Sequence, residues 1–452
     1  MKVLKFGGTS VENADAILHV VEIIRKTLPG QVLVVVSACA GVTNQLLRLA
    51  RMAAVNDQEP ALKELEGVIK RHKSMTEIFI PDKRAAAEHL FDTDHEKLAG
   101  LLRSLSVLKV LPPQTLDECV AYGEQWSSFL LAGAMAGRGI DTVRVDAREV
   151  MITDTAFTQA VPQSDCIAQL AVEKFSPALR EGKVVVTQGF LGSTREGITT
   201  TIGRGGSDYT AALFGAAMGA EEIQIWTDVD GVLSADPNIV QSARRISELS
   251  FNEAAELAYF GAKVLHPSTI LPAIEKNIPV VVLNSRRPEF EGTRITRIAR
   301  SSEACNVKSI AYRKGITVIT IQSTRMLMGY GFLARVFDVF ARRQKSIDVV
   351  VTSEVSISLT IDDATDLEPI VNELESFATV RVDTKKAILC VVGENMKYTK
   401  GIAGRIFDAL GRADINIELI SQGGSEINLT FVISELQVAQ AVRILHTELF
   451  GA

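Results

Sequence analysis

Four residue groups in this chain have types and spacings that could do chemistry on an anion. Lys5-Phe6-Gly7-Gly8-Thr9-Ser10 joins an apolar run to an amphipathic one. Glycines there let backbone N–H groups approach an oxyanion, and a following helix N-terminus adds positive potential suited to phosphate. Lys5 would supply a point charge beside it. Thr200-Thr201-Ile202-Gly203-Arg204-Gly205-Gly206-Ser207-Asp208 holds an arginine among glycines, an arrangement suited to a bidentate grip on a carboxylate or phosphate. Ser207 or Asp208 is expected to cap the helix that follows. Trp226-Thr227-Asp228-Val229-Asp230-Gly231 ends a third run in an Asp-Gly turn whose carboxylates could face a nucleotide. Ser37, Thr43 and Asn44 add hydroxyl and amide groups after a further run, and Glu124 stands on a largely apolar helix. A carboxylate so placed is either a partnered core residue or a grip for an ammonium group. Each loop alone also reads as ordinary turn chemistry.

The elements that must position these groups follow from periodicity. Val3 to Phe6, Val32 to Ser37, Val184 to Phe190, Ile223 to Thr227 and Val280 to Leu283 are continuous Val- and Ile-rich runs, the pattern of buried parallel strands. Helical stretches at about 13–28, 44–54, 116–135 and 209–218 alternate with them. The fold class expected is therefore α/β, a mainly parallel open sheet between helical layers, with ligands at the carboxyl ends of the strands. Residues 59–106 read as a charged helical excursion. After Arg297 the chain repeats itself with a shift of 70. Gly331, Arg335, Phe337, Asp338, Arg342, Ile347, Leu359 and Thr360 meet Gly401, Arg405, Phe407, Asp408, Arg412, Ile417, Leu429 and Thr430. Two copies of a small α+β unit are expected, serving either packing or ligand sensing.

Other classes are excluded by composition. Of 452 residues, 48 are Lys or Arg and 54 are Asp or Glu, a net charge of −6 that gives no general drive toward nucleic acid or anionic membrane. No apolar stretch approaches the length of a membrane helix, and MKVLKFGGTS carries no signal-peptide core. Five scattered cysteines without a CxxC pair argue against a disulfide framework or a zinc site and for a cytoplasmic protein. Neither a Walker A loop nor a dinucleotide fingerprint is present, and the six histidines show no paired spacing.

Taken in order, KFGGTSV at 5–11, VVSACAGVTN at 35–44, TTTIGRGGSDYTA at 199–211, WTDVDGV at 226–232 and FGAKVLHP at 260–267 resemble the aspartate kinases. The repeat resembles the tandem ACT modules that follow that kinase core, and the monofunctional, lysine-sensitive kind is the best likeness. The resemblance implies an amino acid kinase fold over residues 1–296. A linker and first regulatory strand follow at 297–312, then two ferredoxin-like ACT modules at 313–386 and 387–452. It implies transfer of the ATP γ-phosphoryl group to the β-carboxylate of L-aspartate, giving 4-phospho-L-aspartate on the route to lysine, threonine, methionine and diaminopimelate. Mg²⁺ would be held mainly by the ATP phosphates, without protein ligands of its own.

By that likeness Lys5, Gly8, Ser37 and Asp208 are the catalytic set. Thr43, Glu124, Arg204 and Ser207 would bind aspartate, with Arg204 on its α-carboxylate and Glu124 on its ammonium group. Lys5, Phe6, Gly7, Gly8, Thr227, Asp228, Leu233, Asn238, Lys263 and Val264 would contact ATP. Leu233 and Asn238 stand where relatives often carry Tyr and Arg. Inhibition by L-lysine would use Met326, Gly329, Gly331, Phe332, Leu333, Ile347, Asp348, Thr352, Ser353 and Glu354. Gly329 replaces a serine of a well-matched relative. The ACT modules would pair two chains into a homodimer, with a tetramer as the alternative. Two other readings are a kinase acting on glutamate, carbamate or a nucleotide, and a non-catalytic amino-acid sensor.

Overall fold

The computed structural model describes residues 1–55, 57–79, 81–261, 267–299, 307–326, 330–422 and 426–451. By their contacts they form two compact units. One holds Met1–Val232 and Val264–Ala299; the other holds Leu233–Lys263 and Arg300–Ala452.

The first unit is built on strands in the spatial order Thr142–Arg144, Val184–Gln188, Val32–Val36, Lys2–Phe6, Glu222–Thr227, Val280–Asn284 and Thr293–Thr296. All neighbouring pairs are parallel except the last. Val32–Val36 and Val280–Asn284 are buried at every position, because helices cover both faces of the sheet. Lys2–Phe6 lies between Val32–Val36 and Glu222–Thr227, so chain connections leave it in opposite directions. A crevice opens at the carboxyl ends of strands at such a switch point.

The helix Ala14–Arg25 shows how local sequence sets its position. Asn13 caps it by accepting from the Ala16 N–H at 2.9 Å, and Ile17, Val20, Val21 and Ile24 form the buried stripe. Helices Gln58–Ser74 and Pro81–Leu108 pack with Pro113–Ala136 around Trp126, whose indole N–H donates to Asp94 at 3.0 Å. His72 lies in this cluster with its ring centroid 4.8 Å from that of Trp126. Its Nδ1 sits 2.7 Å from the Val68 carbonyl, which can only accept, so Nδ1 carries the proton; buried Nε2 has no partner. Burial lowers the His72 pKa to about 4. The unfolded chain then takes up a proton near pH 6.5 that the folded chain refuses until about pH 4. Stability is present above that window and falls through it with acid, by ~3 kcal/mol in all. Urea midpoints at pH 7 and pH 5 should fall farther apart in the native protein than in His72→Phe; equal spacing would contradict this.

In the second unit the repeat is visible residue for residue. Gly331 and Gly401 both cap helices in the left-handed region, at φ 79° and 78°. The helices are Phe332–Arg342 and Ile402–Arg412, and both are left through a residue of positive φ, Gln344 and Asp414. A six-stranded sheet runs in the order Val350–Thr352, Ser356–Ile361, Val307–Gln322, Thr379–Gly393, Asn428–Ser434 and Leu419–Ser421. Strand Val307–Gln322 is shared. Its far half pairs with Ser356–Ile361 and places Ile319 and Ile321 in one core. Its near half pairs with the end of Thr379–Gly393 and places Val307 and Ile310 in the other. Register shifts around Gly315, at φ 75°, separate the halves. Thus the strand that precedes the first module completes the second.

Candidate active site

At the carboxyl ends of the central strands lies a cleft of about 360 Å³. Its lining includes Lys5, Gly8, Ser37, Thr43, Glu124, Arg204, Ser207 and Asp208. Every catalytic and aspartate-binding candidate named from sequence therefore converges on one cavity.

Lys5 emerges from its strand almost fully buried, and its Nζ lies 2.6 Å from Asp208 Oδ1. The two loops flanking it are in close contact: Ala40 N–H donates to the Gly8 carbonyl at 3.0 Å. A Cβ on Gly8 would stand 2.7 Å from the Ala38 carbonyl oxygen, so only glycine permits this approach. The Gly7 N–H is already used, donating to the Trp226 carbonyl at 3.0 Å. It therefore fastens the loop to the neighbouring strand and does not face the cleft as a free donor.

Helices Val42–Ala54 and Gly206–Met218 both begin at the cleft, and each enters through a left-handed glycine, Gly41 and Gly205. Their first-turn N–H groups and dipoles place positive potential there. The expected side-chain cap from Ser207 or Asp208 is not formed. Gly205 occupies the cap position, which puts Asp208 in the first turn where it reaches Lys5 instead. Arg204, between two positive-φ glycines, is exposed and has no ion pair among the described residues.

Glu124 comes from the middle of helix Pro113–Ala136 and is 3% exposed. Its Oε1 accepts from the Ala38 N–H at 3.1 Å, and its Oε2 is buried without a partner among the described residues. Burial pushes the carboxyl up to about 8, against the opposing pull of that hydrogen bond. The arrangement is a buried carboxyl group that a cation would ionise, an exposed guanidinium and a buried ammonium, around one cavity. It can orient a zwitterion and neutralise a transferring phosphoryl group.

Phe190, at φ 65°, also lines the cleft and was not singled out from sequence. Its signal was available, as the bulky residue after Gly189 at the end of a Val-rich strand. Thr227 ends the strand beside Lys5, with its carbonyl accepting from Ser285 N–H at 2.8 Å and its hydroxyl donating to Asp228 at 3.3 Å. Leu233 and Asn238 fall in the second unit, where Asn238 folds back onto Asp236. Lys263 and Val264 lie outside the described residues.

Comparison with known proteins places the chain. The family model described as the amino acid kinase family matches residues 1–284, and one described as an ACT domain matches 389–449. Lysine-sensitive aspartokinase 3 of Escherichia coli is 36% identical over 99% of both chains. Aspartokinase 2, chloroplastic, of Arabidopsis thaliana is 37% identical over 99% of this chain and 84% of that protein. The solved structure of E. coli aspartokinase III with aspartate and ADP, in its R-state, matches with a TM-score of 0.87 at 36% identity over the whole of both chains. The chain belongs to the aspartokinase family.

The residues that this aspartokinase was expected to use for an effector lie in the first module. Gly331 caps its helix, Met326, Phe332 and Ile347 pack partly buried against the module core, and Leu333 is exposed. Thr352 ends the strand Val350–Thr352, and Ser353 and Glu354 follow in the exposed turn before the strand Ser356–Ile361. Asp348 is already engaged: its Oδ1 accepts from the Tyr259 hydroxyl at 2.8 Å and Arg313 Nη1 at 3.1 Å, while Oδ2 is buried without a partner among the described residues. Gly329 lies outside the described residues. No helix among the described residues is long and apolar enough to cross a membrane.

Proposed function

We propose that this aspartokinase transfers the γ-phosphoryl group of MgATP to the β-carboxylate of L-aspartate, and that L-lysine inhibits it through the first ACT module. The observation that carries the reading is the convergence of Lys5, Glu124, Arg204 and Asp208 on one cleft with Glu124 Oε2 unpartnered. Arg204 holds the α-carboxylate and Glu124 the α-ammonium, with Thr43 and Ser207 adding hydrogen bonds. That fixes the β-carboxylate beside the phosphate loops. Being ionised at pH 7, it needs no general base. One of its oxygens bonds to the γ-phosphorus as the bond to the β,γ-bridging oxygen breaks, and ADP leaves. Lys5, Gly8 and Ser37 meet the charge spread over the transferring group, and Asp208 keeps Lys5 in place.

Asp208 faces Lys5 and Glu124 is assigned to the substrate ammonium, so Mg²⁺ would be held mainly by the nucleotide phosphates. Bound there, it would supply charge neutralisation to the transferring group. Phe6, Gly7, Thr227, Asp228, Leu233, Asn238, Lys263 and Val264 are assigned to the nucleotide, Gly7 through its shape alone. In the effector site, Asp348 or Glu354 would take a lysine ammonium, beside Met326, Gly329, Gly331, Phe332, Leu333, Ile347, Thr352 and Ser353. The ACT modules would pair two chains, and the enzyme is assigned to the cytoplasm.

A substrate panel tests the choice of acceptor. ADP release from MgATP should depend on L-aspartate and stay at background with L-glutamate, carbamate or nucleoside monophosphates. Turnover with one of those and not with aspartate would overturn the reading.

A further inference from the structure

Helix Pro113–Ala136 carries a second buried carboxylate that the proposed mechanism does not use. Asp117 is 1% exposed and stands seven residues before Glu124, two helical turns away on the same face. It does not line the cleft. Its Oδ2 accepts from the Thr158 N–H at 2.8 Å and the Thr201 N–H at 3.0 Å, and its Oδ1 accepts from the Thr201 hydroxyl at 2.7 Å. All three partners donate, so the carboxylate acts purely as an acceptor, and burial alone holds its pKa above the ordinary range against their pull.

Thr201 ends the short strand Thr199–Thr201, and the chain passes through Ile202 and Gly203 straight to Arg204. Gly203 and Gly205 both have positive φ, and the turn between them is closed by the Gly206 N–H on the Gly203 carbonyl at 3.0 Å. An arginine among glycines keeps its place only as well as the residue where the loop is fastened. On this side the loop is fastened by the Ile202 N–H on the Phe190 carbonyl at 3.1 Å, by the Ala160 N–H on the Thr201 carbonyl at 2.9 Å and by the Thr201 bonds to Asp117, and of these the Asp117 bonds tie it to the helix that carries Glu124.

We infer that Asp117 is a positioning residue that fixes the Arg204 loop relative to Glu124, so that one rigid helix sets the spacing between the grips for the substrate's carboxylate and ammonium groups. The inference rests on the reading that Arg204 and Glu124 hold aspartate. A shift of about 1 Å in a substrate-positioning group can cost on the order of a hundredfold in rate. A loosened Arg204 should act on aspartate and leave the Lys5 side of the cleft intact.

Steady-state kinetics on Asp117→Ala, Asp117→Asn and Thr201→Val test this, with Arg204→Ala as the control. Asp117→Ala should raise KM for aspartate about tenfold or more while kcat and KM for ATP stay within about threefold. Asn can accept both backbone N–H groups through its oxygen and donate to the Thr201 hydroxyl, so Asp117→Asn should keep near-native constants. Thr201→Val loses only the hydroxyl bond and should fall between them, which keeps the test open if the alanine variant does not fold. An unchanged aspartate KM in both Asp117→Ala and Thr201→Val would overturn the inference. So would Asp117→Asn being as damaged as alanine, or kcat, KM for ATP and KM for aspartate all shifting together. If instead Arg204→Ala leaves the aspartate KM unchanged, the substrate reading fails rather than the role of Asp117.

Discussion

Lys5→Met is expected to lower kcat by about a thousandfold while KM for aspartate changes by less than about threefold. The Lys5 ammonium is nearly buried at the end of the central strand, where a charge acts through protein and not through water. It lines the cleft together with the first turns of two helices, and in the proposed mechanism its partner in turnover would be the charge that spreads over the transferring phosphoryl oxygens. Among the described residues no hydrogen bond or ion pair joins the side chain to Arg204 or Glu124, so ground-state binding of the amino acid should survive. Asp208→Asn is the milder companion. It leaves the Lys5 charge in place and removes the carboxylate 2.6 Å away that aims it, so kcat should drop by roughly tenfold to a hundredfold. A Lys5→Met enzyme within tenfold of native kcat, or one whose loss lies wholly in the aspartate KM, would contradict this assignment.

Glu124→Gln is expected to raise KM for aspartate by about a hundredfold, the usual effect of truncating a desolvated charge pair. It should also abolish a pH dependence expected of the native enzyme. With no cation facing it, burial holds the carboxyl at about 8, so at pH 7 the protonated form prevails. An ammonium group at Oε2 favours the ionised form, and binding must therefore expel a proton below pH 8. In the native enzyme the aspartate KM should fall by up to about tenfold per pH unit between pH 6 and 8, then level off. The glutamine variant keeps the Ala38 hydrogen bond but has no proton to release, so its KM should be flat over the same range. Folding stability carries the opposite sign. Because the folded pKa is raised above that of the unfolded chain, the native protein holds an extra proton in this window and loses stability as pH rises toward 8. Glu124→Gln should be the more stable protein at pH 8, as measured by urea midpoint. A variant that binds aspartate as tightly as native, or keeps the native pH slope, would show that Glu124 is a core carboxylate and not an ammonium site.

The parts legible in sequence were those where a local pattern has one structural solution. Five Val- and Ile-rich runs became strands of the parallel sheet, and Gly331 and Gly401 became matched helix caps, since the same residues seventy apart impose the same backbone. Lys5, Glu124 and Arg204 could be named because charged side chains beside glycines, or alone on an apolar helix, stand out from their surroundings. What stayed hidden was set by tertiary contacts. The strands Thr142–Arg144 and Thr199–Thr201 are three residues long and too short for a period to appear. Ser207 and Asp208 looked like capping residues because nothing local announces that Gly205 takes that position and frees Asp208 for Lys5. The Gly7 N–H looked like a phosphate donor until the neighbouring strand claimed it. Asp117 resembles any acidic residue near a helix start; its three donors come from 41 and 84 residues away. The shared strand Val307–Gln322 is invisible for the same reason, since its two halves answer to different cores.

The most direct test of phosphoryl transfer to the β-carboxylate is trapping of the acyl phosphate as aspartyl hydroxamate, from L-aspartate and MgATP with hydroxylamine, with and without millimolar L-lysine. Hydroxamate that forms with ATP and falls when lysine is added is the result expected. Folded protein that forms none would contradict the kinase assignment itself, and product indifferent to lysine would contradict the effector assigned to the first module.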